Sequence, residues 1–244
     1  MKGDTQVIVI VAFFFIGFLF GTSTSESLLI IRDYLPALIT LAAAFGGAHY
    51  AYVLQRYIEN DKKQEQSRVS GNLAVMQLAR MQNCLINYRD QFMEPVRDHP
   101  IAFVTMQPCL SIADETFRLN LENLYFILET DDPDLLGQIS ICERKFFGAG
   151  TAIEERSRLH RQEAQPRFEE NGFEITGEYS MEQIQAALGA RIFVTLQHST
   201  QQIFLTVDDA IEHIQRIHAR LTNSLRKQFP GKNIVGISNP SQRA

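Results

Sequence analysis

The chain of 244 residues is poor in cysteine throughout and poor in charge at its amino-terminal end. Cys84, Cys109 and Cys142 are odd in number, far apart and free of any CxxC pairing. That offers neither a disulfide framework nor a zinc site, and it fits a reducing compartment. Two of the three fall on or near apolar helical faces, where a thiol is a structural residue. The motifs of common chemistry are missing as well. There is no GxxxxGK[ST] loop, no GxGxxG after a strand, no HExxH and no GxSxG. Di-iron bundles need Glu-x-x-His repeats on facing helices, and no Glu here is followed three places on by His. His213 and His218 stand five apart and off a shared face, and His160 and His198 read as surface or capping residues. The acidic runs ETDDPD, EERSR and FEEN read as caps and solvated faces. These absences point away from an enzyme and assign no catalytic, cofactor or metal residue.

Charge is the next shortage. Through residue 54 the only charged side chains are Lys2, Asp4, Glu26, Arg32 and Asp33. Removing those leaves 21 basic and 25 acidic residues for the remainder, an acidic balance that argues against general nucleic-acid binding. Within the uncharged head, residues 7–21 (VIVIVAFFFIGFLFG) are continuously apolar and reach about 22 Å as a helix. Residues 35–54 reach roughly 30 Å, a full bilayer crossing. The expected head is therefore a transmembrane hairpin over 1–54, with spans at about 6–22 and 35–54. The segment TSTSESLLIIRDY lies between them, and Pro36 sits in the first turn of the second helix, where its missing N–H costs nothing. A cleaved signal peptide is the competing reading of the first span. The small residues GTSTS follow it, but Lys2 and the α-amine are the only positive charge before it.

Arg56, Lys62, Lys63 and Arg68 follow the second span, whereas the loop before it has only Arg32. The positive-inside rule then places the body in the cytoplasm, giving a multi-pass protein of the bacterial inner membrane with both termini cytoplasmic. Tyr50 and Tyr52 fit an aromatic belt at one edge, with Tyr34 at the other. In lipid, helices associate by close backbone approach, which small residues permit. Gly17 and Gly21 are so spaced in the first span, as are Ala42/Gly46, Ala43/Gly47 and Ala44/Ala48 in the second. One reading is that these stripes pack the hairpin within one subunit. The other is that they drive homo-oligomer formation. No charged residue enters either span, which argues against a proton relay, and His49 at the cytoplasmic edge reads as a snorkelling residue.

The rest is expected to be all-α: a helical stalk over 55–72, a cytoplasmic bundle over 73–229 and a flexible polar tail over 230–244. The apolar rhythm of three and four runs through Ala74, Leu78, Met81, Leu85, Tyr88 and Phe92. It recurs in Phe117, Leu121, Leu124 and Leu128, then in Ile139, Cys142, Phe146, Ala149 and Ile153. The cleanest run is Ile203, Val207, Ala210, Ile214, Ile217 and Leu221. Strand-like alternation is confined to NIVGI near the end. Asp132 before Pro133 reads as a cap, SMEQ (residues 180–183) as a capping box, and Pro166, Asn171-Gly172 and Gly177 as breaks. Gly71 is the first breaker after the second span. Gly148 and Gly150 read as points of close helix approach, with a hinge as the alternative. The last helix begins acidic at Asp208, Asp209 and Glu212 and ends basic at Arg216, Arg220, Arg226 and Lys227. That fits dipole complementarity, with a contact to anionic lipid, RNA or an acidic partner as the second reading.

Taken together, ALITLAAAFGGAHYAYVLQ, NLAVMQLARMQN, NLENLYFILETDDPDLL and the terminal FPGK resemble a group of small bacterial membrane proteins with a two-span head and a helical cytoplasmic body. Their layout is similar to that of the two-transmembrane effectors of some retron anti-phage systems. The resemblance implies a membrane-acting effector of a defence or stress system, restrained by a protein or ribonucleoprotein regulator such as a reverse transcriptase complex. A non-enzymatic membrane-anchored adaptor is the alternative function.

Overall fold

The computed structural model describes residues 25–173 and 179–236, and these are all-helical, with no strand among them. The first span expected at 6–22, Gly17, Gly21, Gly177 and residues 237–244 lie outside the described residues. The chain divides into two units between Lys63 and Gln64.

Helix α1, Ser25–Tyr88, belongs to both units. Its helical start at Ser25 differs from the loop expected between the spans, and Pro36 consequently falls inside the helix instead of in its first turn. The Thr40 hydroxyl donates to the Pro36 carbonyl at 2.8 Å. The stalk expected over 55–72 is helical throughout and exposed through Gln66. Gly71 does not break it. A Cβ there would lie 2.5 Å from a methyl of Leu225, so the missing side chain seats Leu225 against α1. Beyond it, Ala74, Leu78, Met81, Leu85 and Tyr88 are buried as the periodicity predicts.

The rhythm then slips. A π-helical turn, Arg89–Met93, follows α1 and widens the repeat to five, so Met93 is buried where Phe92 was expected. Phe92 stacks on Tyr88 at the core's edge. After a 3₁₀ turn at Glu94–Val96 comes a four-residue helix, α2 (Ala102–Thr105). The helix expected from Phe117 to Leu128 is instead two 3₁₀ pieces, Glu115–Phe117 and Glu122–Glu129. At three residues per turn, Leu124 and Ile127 share a face and are buried, while Leu128 is turned out to solvent.

Helix α3, Asp134–Leu159, continues through a second π turn, His160–Ala164, into α4, Gln165–Glu170. Pro166 therefore opens α4, and the break comes at Asn171-Gly172, where Gly172 takes φ 69°. Asp132 does not cap α3 with its side chain; its carboxylate receives Arg220. Helix α5, Met181–Gln228, starts on the expected capping box of Ser180 and Gln183. It reaches far upstream of Asp208 and bends at Gly189, whose φ of 75° and ψ of 153° no other residue type adopts easily. Residues 233–236 of NIVGI form no strand. Val235 N–H donates to Asn72, and Arg68 and Asn72 donate to the Asn233 carbonyl, so the start of the expected free tail is tied to α1.

The packing forms two apolar clusters. The larger joins α1, α3 and α5 through residues such as Leu78, Phe146 and Ile214, and includes every member of the two predicted stripes on α3 and α5. The smaller gathers Phe103, Leu159, Ala164, Ile184, Leu188, Ile192, Phe193 and Leu196. Gly150 separates from Gly148 in role: a Cβ on Gly150 would meet the Ala113 methyl at 2.7 Å, whereas one on Gly148 meets nothing within 4 Å. The close approach is thus to a loop residue, at one glycine of the pair.

Those two environments predict opposite effects. Gly148→Ala should stabilise the purified chain by about 1 kcal/mol through helix propensity. Gly150→Ala should destabilise it by about 1–2 kcal/mol through overpacking, net of the same gain. Thermal unfolding of the two variants checks the pair.

Candidate functional site

Three regions bear on function. The first is the apolar part of α1. From Leu35 onward this helix is long and apolar enough, by length and composition, to cross a membrane, and none of its apolar window is buried by described residues. Phe45 and Tyr50 are each 71% exposed. An ordinary core helix covers such residues. Ala43, Gly46 and Gly47 are equally open, and a Cβ on either glycine would meet nothing within 4 Å. At the end of this stretch the Arg56 guanidinium lies over the Tyr52 ring, 5.5 Å from its centroid. His49 is exposed.

The second region is the basic end of α5, and the structure separates its four residues. Arg216 contacts Nδ1 of His213 at 2.7 Å. Arg220 pairs with Asp132 through both carboxylate oxygens, raising the guanidinium's pKa by hydrogen bonding. The tip of Arg226 lies beside Gly236, close enough that a Cβ there would sit 2.8 Å away. Only Arg220 and Lys227 share a site, a cleft of about 320 Å³ between α5 and the loop Glu129 to Asp132. The acidic start assigned to this helix is corrected too. Asp208 and Asp209 lie in mid-helix and pair with Arg97 and Lys145, so they act as links between elements and not as dipole partners.

The third region was missed in the sequence. Arg156, read as part of a solvated EERSR run, is 1% exposed. No carboxylate pairs with it among the described residues. Its Nε donates to the Thr200 hydroxyl at 3.3 Å, and its Nη2 donates to the carbonyls of Phe103 and Met106. Nη1 is buried without a partner. Burial lowers the guanidinium's pKa to about 10, so it stays charged at neutral pH. Its position explains its survival in the core. On α3 it lies between Ile153 of the larger cluster and Leu159 of the smaller; Thr200 lies likewise between Ile203 and Leu196. A polar layer thus divides the two clusters and satisfies the carbonyls at the end of α2. The only sequence signal was positional: Arg156 lies three residues after Ile153, in phase with the buried stripe.

His160 also departs from its expected surface role. It is buried one turn beyond Arg156, and its Nε2–H donates to the Val104 carbonyl at 3.3 Å while Nδ1 has no partner. Burial first, and then the Arg156 charge, push its pKa down to about 4. His213 and His218 are buried with pKa values lowered chiefly by burial. Cys142 is buried and its thiol is pushed up to about 12, while Cys84 and Cys109 are half-buried and raised by the same cause. None of the three is set up as a thiolate nucleophile.

No family model, curated protein or solved structure matches the chain.

Arg156→Ala leaves two buried carbonyls without their donor and opens a cavity at the polar layer. It should cost about 2–4 kcal/mol of stability, read as a lowered unfolding midpoint of the purified chain.

Proposed function

We propose that this protein is a bacterial inner-membrane effector of an anti-phage or stress system, acting on the bilayer rather than catalysing a reaction. In this reading the segments at about 6–22 and 35–54 form the hairpin, and the bundle lies in the cytoplasm. A protein or ribonucleoprotein regulator, a reverse transcriptase complex by resemblance, restrains the bundle until infection releases it. The observation that carries the reading is the unbroken helix Ser25–Tyr88, which joins an uncovered apolar stretch to the bundle's own core. Apolar side chains left in water gain nothing from folding, so this stretch calls for lipid or for other apolar helices. Gly46 and Gly47, free of neighbours, suit close helix approach in lipid and hence assembly of several copies. A rearrangement of the bundle would reach the membrane along one hydrogen-bonded backbone.

A membrane-anchored adaptor is the second reading. Val69, Leu73 and Met76 favour it, since they share one face of α1 and stay exposed beside a groove of about 230 Å³ lined by Ser70, Gln77, Asn120 and Asn123. The two readings part on toxicity.

Expression in bacterial cells carrying a potential-sensitive dye should depolarise them. Gly17→Leu or Gly46→Leu should restore most of the potential at equal membrane abundance. Unchanged depolarisation in both variants would reject the small-residue stripes as the mechanism. A wild-type chain that stays in the membrane without depolarising cells when triggered would leave the adaptor, and recovery of intact chain in the soluble fraction would end both readings.

A further inference from the structure

Four polar side chains on one face of α3 and its π turn hold a single stretch of main chain. Arg156 takes the carbonyls of Phe103 and Met106, and His160 takes that of Val104. The Ser157 hydroxyl accepts from the Cys109 N–H at 3.2 Å, and Arg161 donates to the Cys109 carbonyl at 2.9 Å. The stretch so held, residues 101–109, has little regular structure of its own beyond α2, is preceded by Pro100 and contains Pro108. What keeps it down otherwise is apolar: Phe103 is buried edge-on to Phe193, and Met106 is buried in the larger cluster. It is a strap over the polar layer: among the described residues its polar bonds to other elements come from α3 or the turn after it, while at its start the Ile101 N–H donates to His99 Nδ1 at 3.3 Å.

We propose that protonation of His160 opens this strap, making residues 101–109 a pH-sensitive device built into the bundle. The geometry of the closed state has room for a neutral imidazole only. Nε2–H already occupies the Val104 carbonyl, so a proton on Nδ1 would be a buried donor with no acceptor. It would also be a second positive charge one turn from Arg156, whose own Nη1 lacks a partner. The other charged or titratable groups around the site do not relieve this. Arg161, on the same turn, is cationic. Cys109 of the strap and Tyr88 of α1 face Arg156 as neutral groups. Glu163 is paired to Arg191 of α5. The strap's own backbone hydrogen bonds are confined to one short turn over residues 99–106, so lifting it would hydrate both cations without unwinding a long helix.

The open strap leaves an imidazole of ordinary pKa, near 6.5, while the closed strap holds it down to about 4. Closure is therefore strongest above 6.5 and weakens as pH falls toward 4. Linkage between those values gives about 30-fold more opening at about pH 5 than at about pH 7.5. The inference stands on the bundle alone and is independent of any action at the membrane.

Hydrogen exchange of the full-length, detergent-solubilised chain, corrected for the intrinsic rate at each pH, tests it. Peptides covering 101–109 should lose about 30-fold in protection across that interval, while peptides from 74–88, a buried stretch without histidine, keep theirs. His160→Gln keeps a donor to Val104 without the titration and should abolish the pH step. Ser157→Ala removes one latch bond but leaves the imidazole, and should keep the step on a faster baseline, so it carries the test should His160→Gln fail to fold. A strap equally protected at both pH values, a step that survives in His160→Gln, or a parallel loss across 74–88 would each overturn the proposal.

Discussion

A guanidinium buried without a carboxylate partner is costly unless the groups around it are fixed to receive it, and Arg156 imposes that demand on the bundle. Its donors reach α5 through Thr200 and the strap through two carbonyls. Each of those acceptors lies where one apolar cluster ends and the other begins. Were the layer apolar, α3, α5 and the strap could slide against one another with little penalty. Directional bonds to main-chain oxygens fix their register instead, and the apolar clusters on either side supply the burial that offsets the desolvation.

The irregular parts of the chain can be understood from the same requirement. The two π turns each insert a residue beside the layer, one where α1 ends and one where α3 ends. The second sets His160 and Arg161 on the face that already carries Arg156 and Ser157. Gly189 bends α5 so that Ile184 and Leu188 share the smaller cluster with Ile192 and Leu196. Half-exposed ion pairs, among them Arg97 to Asp208 and Arg220 to Asp132, then tie the surface elements to α5, each contributing little by itself.

The amino-terminal end of α1 obeys a different solvent logic. In the bundle, apolar residues are buried against partners; over 35–54 they have none among the described residues. One helix thus carries two kinds of surface, which gives the proposed effector its physical basis. The strap provides a separate response inside the bundle, governed by a proton and not by the membrane.

By itself the sequence determined the helical class, the uncharged amino-terminal stretch, the stripes on α3 and α5 and the capping box at Ser180, because each follows from spacing along one helix. It misread Phe92, Leu128, Arg156 and His160, because a π turn, a 3₁₀ turn and a polar layer change which residues face inward without changing local composition. It likewise gave Asp132 to a cap and Asp208 and Asp209 to a dipole, when the structure pairs them with Arg220, Arg97 and Lys145 on other elements. Only the tertiary structure decided these, since a charged side chain's partner is chosen by what packs opposite it and not by its neighbours in sequence.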